Sequence, residues 1–285
     1  MKELHGSSAA HRLFSRRSLL GGAGAGLVAS SLSADIQGFA AAIDMSSLQP
    51  TSTFAHIAYG LDGGGYWKTS FVFINLDSSA ASLTLLTWST AGTPLSVPVV
   101  GGSLDSQHQV TVPANGSVQV DLDETASTGI TTGWAGIVVT AGSVRGQGIF
   151  KQRIPGRPDF EAVVPMLART QPSCIIPFPT PQPAVLAMPF DCTGGSVTSV
   201  AFANTAITAR TLDLEFVDAS GASLYVGHES MVAHGQMAFE IAGRYPLVAS
   251  HKGWMHVLTN ASDFTALGFR FNPTGAFTTW LPILA

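Results

Sequence analysis

Charge is scarce in this sequence. Asp, Glu, Lys and Arg make up 11% of its 285 residues, under half the roughly 25% usual for a soluble domain. The 14 Lys and Arg are outnumbered by 18 Asp and Glu, and Arg12, Arg16 and Arg17 crowd into the N-terminus. The remainder forms no basic surface able to neutralise a phosphate backbone, which disfavours nucleic acid as a partner. Long apolar runs are also missing. Hydrophobic residues reach 46% and mean hydropathy is +0.30, yet Gly and Ser interrupt every run before the roughly 18 residues that a membrane-spanning helix needs. Catalytic signatures are absent as well. There is no Gly-x-Ser-x-Gly, no Gly-x-x-x-x-Gly-Lys-Ser/Thr and no His-Glu-x-x-His, the patterns that mark a strained nucleophile, a phosphate cradle and a zinc protease. Gly142-Ser143-Val144-Arg145-Gly146 puts its Ser in the wrong place.

Cysteine is limited to Cys174 and Cys192. In an oxidising compartment the pair reads as one disulfide closing a loop of about 18 residues, contributing roughly 3 kcal/mol in the chain-entropy model. Two inert buried thiols are the competing reading. No His stands near either at zinc-ligand spacing, so neither a metal nor another cofactor is expected.

What is present begins with an export signal over residues 1–42. Arg12, Arg16 and Arg17 precede a soft apolar run from Leu19 to Ala29, and small residues follow through Ala42. This is the order of a charged region, an apolar region and a small-residue exit. Ser15-Arg16-Arg17-Ser18-Leu19-Leu20 fits the twin-arginine signature. An ordinary general-secretion signal with adjacent arginines accounts for the same residues. Either way the mature chain is expected in the periplasm, in the cell envelope or outside the cell, with no transmembrane span.

The 30 Gly and 16 Pro punctuate short runs of alternating character. Val110 and Val112 flank Thr111, and Val118, Val120 and Leu122 alternate with Gln119 and Asp121, the period-2 pattern of half-buried strands. Pro113-Ala114-Asn115-Gly116 is a turn between two such runs. The pattern then repeats. Thr69, Ser70 and Asn75 recur at the same spacing as Thr198, Ser199 and Asn204; Leu83 and Leu85 recur as Leu212 and Leu214. Gly133-Trp134 matches Gly253-Trp254 once a longer loop in residues 101–109 is allowed, and Phe160 and Pro165 match Phe277 and Pro282. Matched blocks in one order predict two copies of one unit. Roughly seven short strands per copy describe an all-β chain of two immunoglobulin-like β-sandwiches: residues 52–167 and 190–285, joined by a Pro-rich linker over residues 168–189.

Both copies combine a Thr-Ser-x-x-x-x-Asn strand, a Pro-Ala-Asn-Gly type turn, a Gly-Trp strand and a closing Phe-x-x-x-x-Pro strand. In these features the chain resembles a group of uncharacterised secreted bacterial proteins with tandem immunoglobulin-like β-sandwich repeats. The second copy departs in one turn, where Val232-Ala233-His234-Gly235 replaces Pro113-Ala114-Asn115-Gly116. The resemblance implies an extracellular, non-catalytic module and supplies no substrate or catalytic residue.

Side chains that could carry chemistry are few. Asp121 with Asp123, and Asp213 with Glu215, have the spacing of one strand face that paired carboxylates use, but they equally make a polar outer face. His228 and His234 could share a strand face, whereas His251 and His256 fall on opposite faces. Trp88, Trp134 and Trp254 read as core anchors, and a turn-forming His234 as solvated. Tyr66 and Trp67 stand outside the repeated pattern beside Gly63, Gly64 and Gly65. Exposed there, they would form a stacking surface for a sugar ring or a protein; packed, they would seal the junction between copies. The expected function is a secreted or envelope-associated interaction or structural protein, non-enzymatic, with an extracellular polymer or protein as partner. A carbohydrate-binding module is the alternative, and an exported enzyme the rival class.

Overall fold

A computed structural model describes residues 43–168, 184–259 and 263–284. The expected export signal, Cys174 and most of the expected linker lie outside them. The described chain is all-β, as expected.

The first half carries β1 (Ser52–Asp62), β2 (Gly65–Ile74), β3 (Ala81–Ser89), β4 (Val97–Pro98), β5 (Leu104–Asp105), β6 (Gln107–Val112), β7 (Ser117–Asp121), β8 (Thr131–Ala141), β9 (Arg145–Arg153), β10 (Phe160–Pro165) and β11 (Leu167–Ala168). The second carries β12 (Ala184–Asp191), β13 (Val197–Asn204), β14 (Arg210–Asp218), β15 (Ser223–Met231), β16 (Gln236–Glu240), a one-turn helix (Ile241–Arg244), β17 (Lys252–Thr259), β18 (Phe264–Phe271), β19 (Phe277–Trp280) and β20 (Ile283–Leu284). All pairings are antiparallel. In the first half one sheet runs β6-β3-β8-β1-β11 and the other β7-β2-β9-β10, with the end of β1 crossing over to pair with β2. In the second half the orders are β15-β14-β17-β12-β20 and β16-β13-β18-β19. Position for position the two halves pair their strands in the same order.

Alternation decides what each sheet buries. Leu83 and Leu85 of β3 with Ala135 and Ile137 of β8 face Phe71 and Phe73 of β2 in the first core. Leu212 and Leu214 of β14 with Met255 and Val257 of β17 face Val200 and Phe202 of β13 in the second. In each half the sheets pack face to face over apolar side chains, and the first core continues into the second half.

The halves are not beads on a linker. Every residue of β13 is buried, because its other face points into the first half. Val197, with Leu267, Phe269 and Phe271 of β18 and Phe277 of β19, joins the first core. Ser199, Ala201 and Ala203 keep this face of β13 shallow, so the halves approach closely. The linker boundary is also corrected. Residues 184–189 belong to β12, and Pro189 pairs with Trp254 inside the strand. On its other flank β12 meets β20 only at Leu186 and Ala187, which leaves that side open where the missing N–H of Pro189 would otherwise break a ladder.

Candidate functional site

The seam between the halves gathers the polar and aromatic groups that remain unexplained by either core. Trp88 on β3 and Trp134 on β8 pair across the strands and point away from the Leu83–Leu85 core, since neighbours along a strand alternate. Their rings lie parallel, with centroids 4.3 Å apart and 8° between planes. Gly133 makes this approach workable: a Cβ at Gly133 would sit 2.1 Å from the carbonyl oxygen of Trp88. Met45 and Leu48 cover the pair from one side, and Ala203 of β13 reaches it from the second half.

His234 completes the stack. It occupies a left-handed turn, φ 52°, and places its ring over Trp88 at 5.4 Å and 20°. The Trp134 indole Nε1 donates to the His234 carbonyl at 2.7 Å. Its own Nε2 lies 3.3 Å from the Ser46 carbonyl, which can only accept, so Nε2 carries the proton and Nδ1 is left as a bare acceptor. Burial pushes the pKa of this imidazole down, against a smaller upward pull from the Ser46 carbonyl. The Trp88 Nε1 donor and the His234 Nδ1 acceptor are both buried without a partner among the described residues. Both residues line a cleft of about 570 Å³, open between Ser46, Thr93, Gln107 and Ala233. The bare His234 Nδ1 acceptor and the Trp88 N–H donor can each make one hydrogen bond to a polar group held in the cleft.

A second polar contact lies deeper in the seam. His56 on β1 is buried, stacked on Phe150 at 5.5 Å and edge-on to Phe269 of the second half at 5.9 Å. Its Nδ1 accepts from the Gln236 side-chain amide at 2.6 Å, and burial lowers its pKa to about 3. A lone His inside the apolar run Phe54-Ala55-His56-Ile57 was the available signal for this contact. Nothing local names Gln236 as its partner.

The side chains singled out from sequence fall elsewhere. Gly63 and Gly64, both at positive φ, form a two-residue hairpin turn between β1 and β2, with Asp62 paired to Gly65; this is turn chemistry. Trp67 is buried rather than exposed. It lies edge-on to Phe150 at 5.9 Å and against Phe277 of the second half at 5.6 Å, so it seals the seam and offers no plate to a sugar. Tyr66, on the opposite strand face, is half-buried, its phenol pKa raised by burial and then by Glu124. Next to it Lys68 bridges Asp121 at 3.5 Å and Glu124 at 3.2 Å. Asp123 leaves the strand and caps a short 3-10 turn by accepting from the Thr125 amide, so the Asp121–Asp123 pair does not share a face.

Asp213 and Glu215 do share the outer face of β14, and each is met by a histidine on a neighbouring strand. His228 Nδ1 lies 2.6 Å from Asp213 and His256 Nδ1 lies 3.6 Å from Glu215. His234 is in the seam, away from His228, and is buried rather than solvated, because the Trp88 face of the other half covers it. His251 precedes β17. Among the described residues no group of three or more His, Cys, Asp or Glu is placed to hold a metal. Cys192 is half-buried at the end of β12, its thiol pKa raised by burial; Cys174, its expected partner, is outside the described residues. Trp254, expected in the core, is 42% exposed. It stands on the outer face of β17, as Trp134 does on β8, but the described chain does not cover it as Met45, Leu48 and His234 cover the Trp88–Trp134 pair. Comparison with protein-family models, with curated proteins and with solved structures finds no match for this chain.

Proposed function

We propose that the chain is an exported, non-enzymatic interaction or structural protein of the periplasm, cell envelope or extracellular space, built as two tandem immunoglobulin-like β-sandwiches of one repeated unit. The observation that carries this reading is β13, buried on both faces: the two halves are fused through a shared apolar layer, as suits a part that holds surfaces at a fixed spacing. The seam is closed by stacked rings and neutral hydrogen bonds. Carboxylates singled out from the sequence sit in local pairs on strand surfaces, Lys68 with Asp121 and Glu124, Asp213 with His228, and Glu215 with His256. With Trp67 buried, the Tyr66–Trp67 pair no longer supports a glycan-stacking surface.

The export half of the reading is tested by fractionating producing cells. The unaltered chain is expected in the envelope or the medium, and the Arg16→Lys, Arg17→Lys double variant is expected to stay in the cytoplasm. Cytoplasmic retention of the unaltered chain would overturn export, and normal export of the variant would overturn the twin-arginine route. Co-sedimentation of the purified chain with isolated envelope polymer tests the partner. A supernatant that keeps all the protein removes that partner.

A further inference from the structure

Part of the contact that joins the two halves sets a donor surface on an acceptor surface, and each exists a second time in the molecule, uncovered among the described residues. The donor is the tip of the second half: Ala203, Thr205 and the 232–235 turn. The acceptor is the outer face of the first half's sheet at Trp88 and Trp134.

The tip recurs in the first half with the same internal hydrogen bonds. Asn204 N–H donates to the Gly235 carbonyl at 2.9 Å, and Asn75 N–H to the Gly116 carbonyl at 2.9 Å. His234 N–H donates to Ala206 and Asn115 N–H to Asp77. The side-chain amides of Asn204 and Asn75 clamp their turns through Val232 and Pro113 carbonyls. His234 and Asn115 both sit in the left-handed region, φ 52° and 50°. The environments differ sharply. Ala203 is buried against the other half and Thr205 is buried as well, whereas their counterparts Ile74 and Leu76 are 39% and 76% exposed. The acceptor face recurs too. Trp88 pairs with Trp134 on β3 and β8, and Val217 pairs with Trp254 at the same register on β14 and β17. Trp134 is fully buried; Trp254 is 42% exposed, flanked across β12 by Pro189. The molecule therefore presents an exposed Ile74–Leu76 tip on one side and, on the other, the half-exposed Trp254 indole beside Pro189 and Val217 and bordered by the Glu215–His256 pair, two surfaces whose counterparts fit each other within the molecule.

We propose that a second copy of this chain docks its Ile74–Leu76–Asn115 tip onto the Trp254 face, repeating between molecules the part of the inter-half contact made by the 232–235 turn on the Trp88–Trp134 face. The Asn115 carbonyl then takes the Trp254 indole N–H, as the His234 carbonyl takes that of Trp134. Such a contact is head-to-tail: each copy uses different surfaces for its two neighbours, so it propagates into a chain or closes into a ring. An apolar centre, Ile74 and Leu76 on one surface and Trp254 on the other, with polar side chains around it, is the make-up of such an interface. This inference rests on the interaction-protein reading and supplies its partner.

Sedimentation velocity of the purified chain over a micromolar to millimolar range tests it. Oligomers that grow with concentration are expected. Trp254→Asp and Leu76→Asp should each weaken self-association at least about tenfold, because each destroys one of the two surfaces. Mixing the two variants is decisive. One keeps the tip and the other keeps the indole face, so together they should form a dimer that grows no further. The serine variants at the same positions make the same comparison if an aspartate variant misfolds. A chain that stays monomeric throughout, an association that both variants leave unchanged, or a mixture that fails to dimerise overturns the proposal. A monomer that still co-sediments with envelope polymer would overturn this assembly while leaving the interaction-protein reading standing.

Discussion

His234 lies over Trp88 with 5.4 Å between ring centroids, so a turn of the second half closes the outer face of a first-half sheet. Ring on ring buries apolar area without a charged group, and the indole N–H of Trp134 meets the carbonyl of that same turn at 2.7 Å. Stability should therefore be concentrated at this seam, and the two tryptophans of the repeated Gly-Trp pair should behave differently.

Trp134→Ala is expected to cost about 3 to 5 kcal/mol, the range for removing a buried aromatic. Trp254→Ala, at the matching register but exposed, should stay within about 1 kcal/mol in dilute solution. Urea unfolding of both variants at low concentration measures the difference. Equal losses would mean that the two positions share one environment.

The glycines of that pair should not differ. A Cβ at Gly133 would sit 2.1 Å from the Trp88 carbonyl oxygen, and one at Gly253 would sit 2.0 Å from the Val217 carbonyl oxygen. Backbone must shift in both cases. Gly133→Ala and Gly253→Ala should each destabilise by about 1 to 3 kcal/mol, as overpacking does, and an unchanged melting temperature for either would refute the close approach.

Acid should weaken the fold through its buried histidines. His56 stays neutral in the folded chain, its pKa lowered by burial from 6.5 to about 3, whereas the unfolded chain binds a proton below about 6.5. The unfolded state thus holds more protons in this window. The contribution is fully present above pH 6.5 and falls as pH drops towards 3, by up to about 1.4 kcal/mol per pH unit. His108 and His234, whose pKa values burial also lowers, add to the slope. Unfolding free energies at pH 7 and pH 5 should show the loss, and His56→Gln should flatten the slope by about one proton. An unaltered slope in that variant would place the acid sensitivity elsewhere.

Trp67→Ala is expected to lower the melting temperature by several degrees, since the ring fills the space between Phe150 and Phe277. Tyr66→Ala, on the exposed side of the same strand, should shift it little. The reverse order would restore Tyr66 and Trp67 as a surface pair.

Strand identity was legible in the sequence because it is a local property. The alternation of Val118, Gln119, Val120 and Asp121 needs only neighbours two apart, and β7 forms there. The matched Gly-Trp pairs likewise named two positions where strands pair at the same register, and the reason is local too: only glycine admits the neighbouring carbonyl. What the sequence did not determine is which outward-facing side chain ends up covered. Trp134 and Trp254 carry the same local signal. The first is buried by Met45, Leu48 and a turn a hundred residues away, the second is left in solvent, and Trp67 is buried by Phe277 from the far end of the chain. Burial of an outer face depends on long-range packing between halves, which has no period along the chain to read. The small residues of β13, Ser199, Ala201 and Ala203, permit that packing without announcing it, and only the tertiary structure decided where it falls.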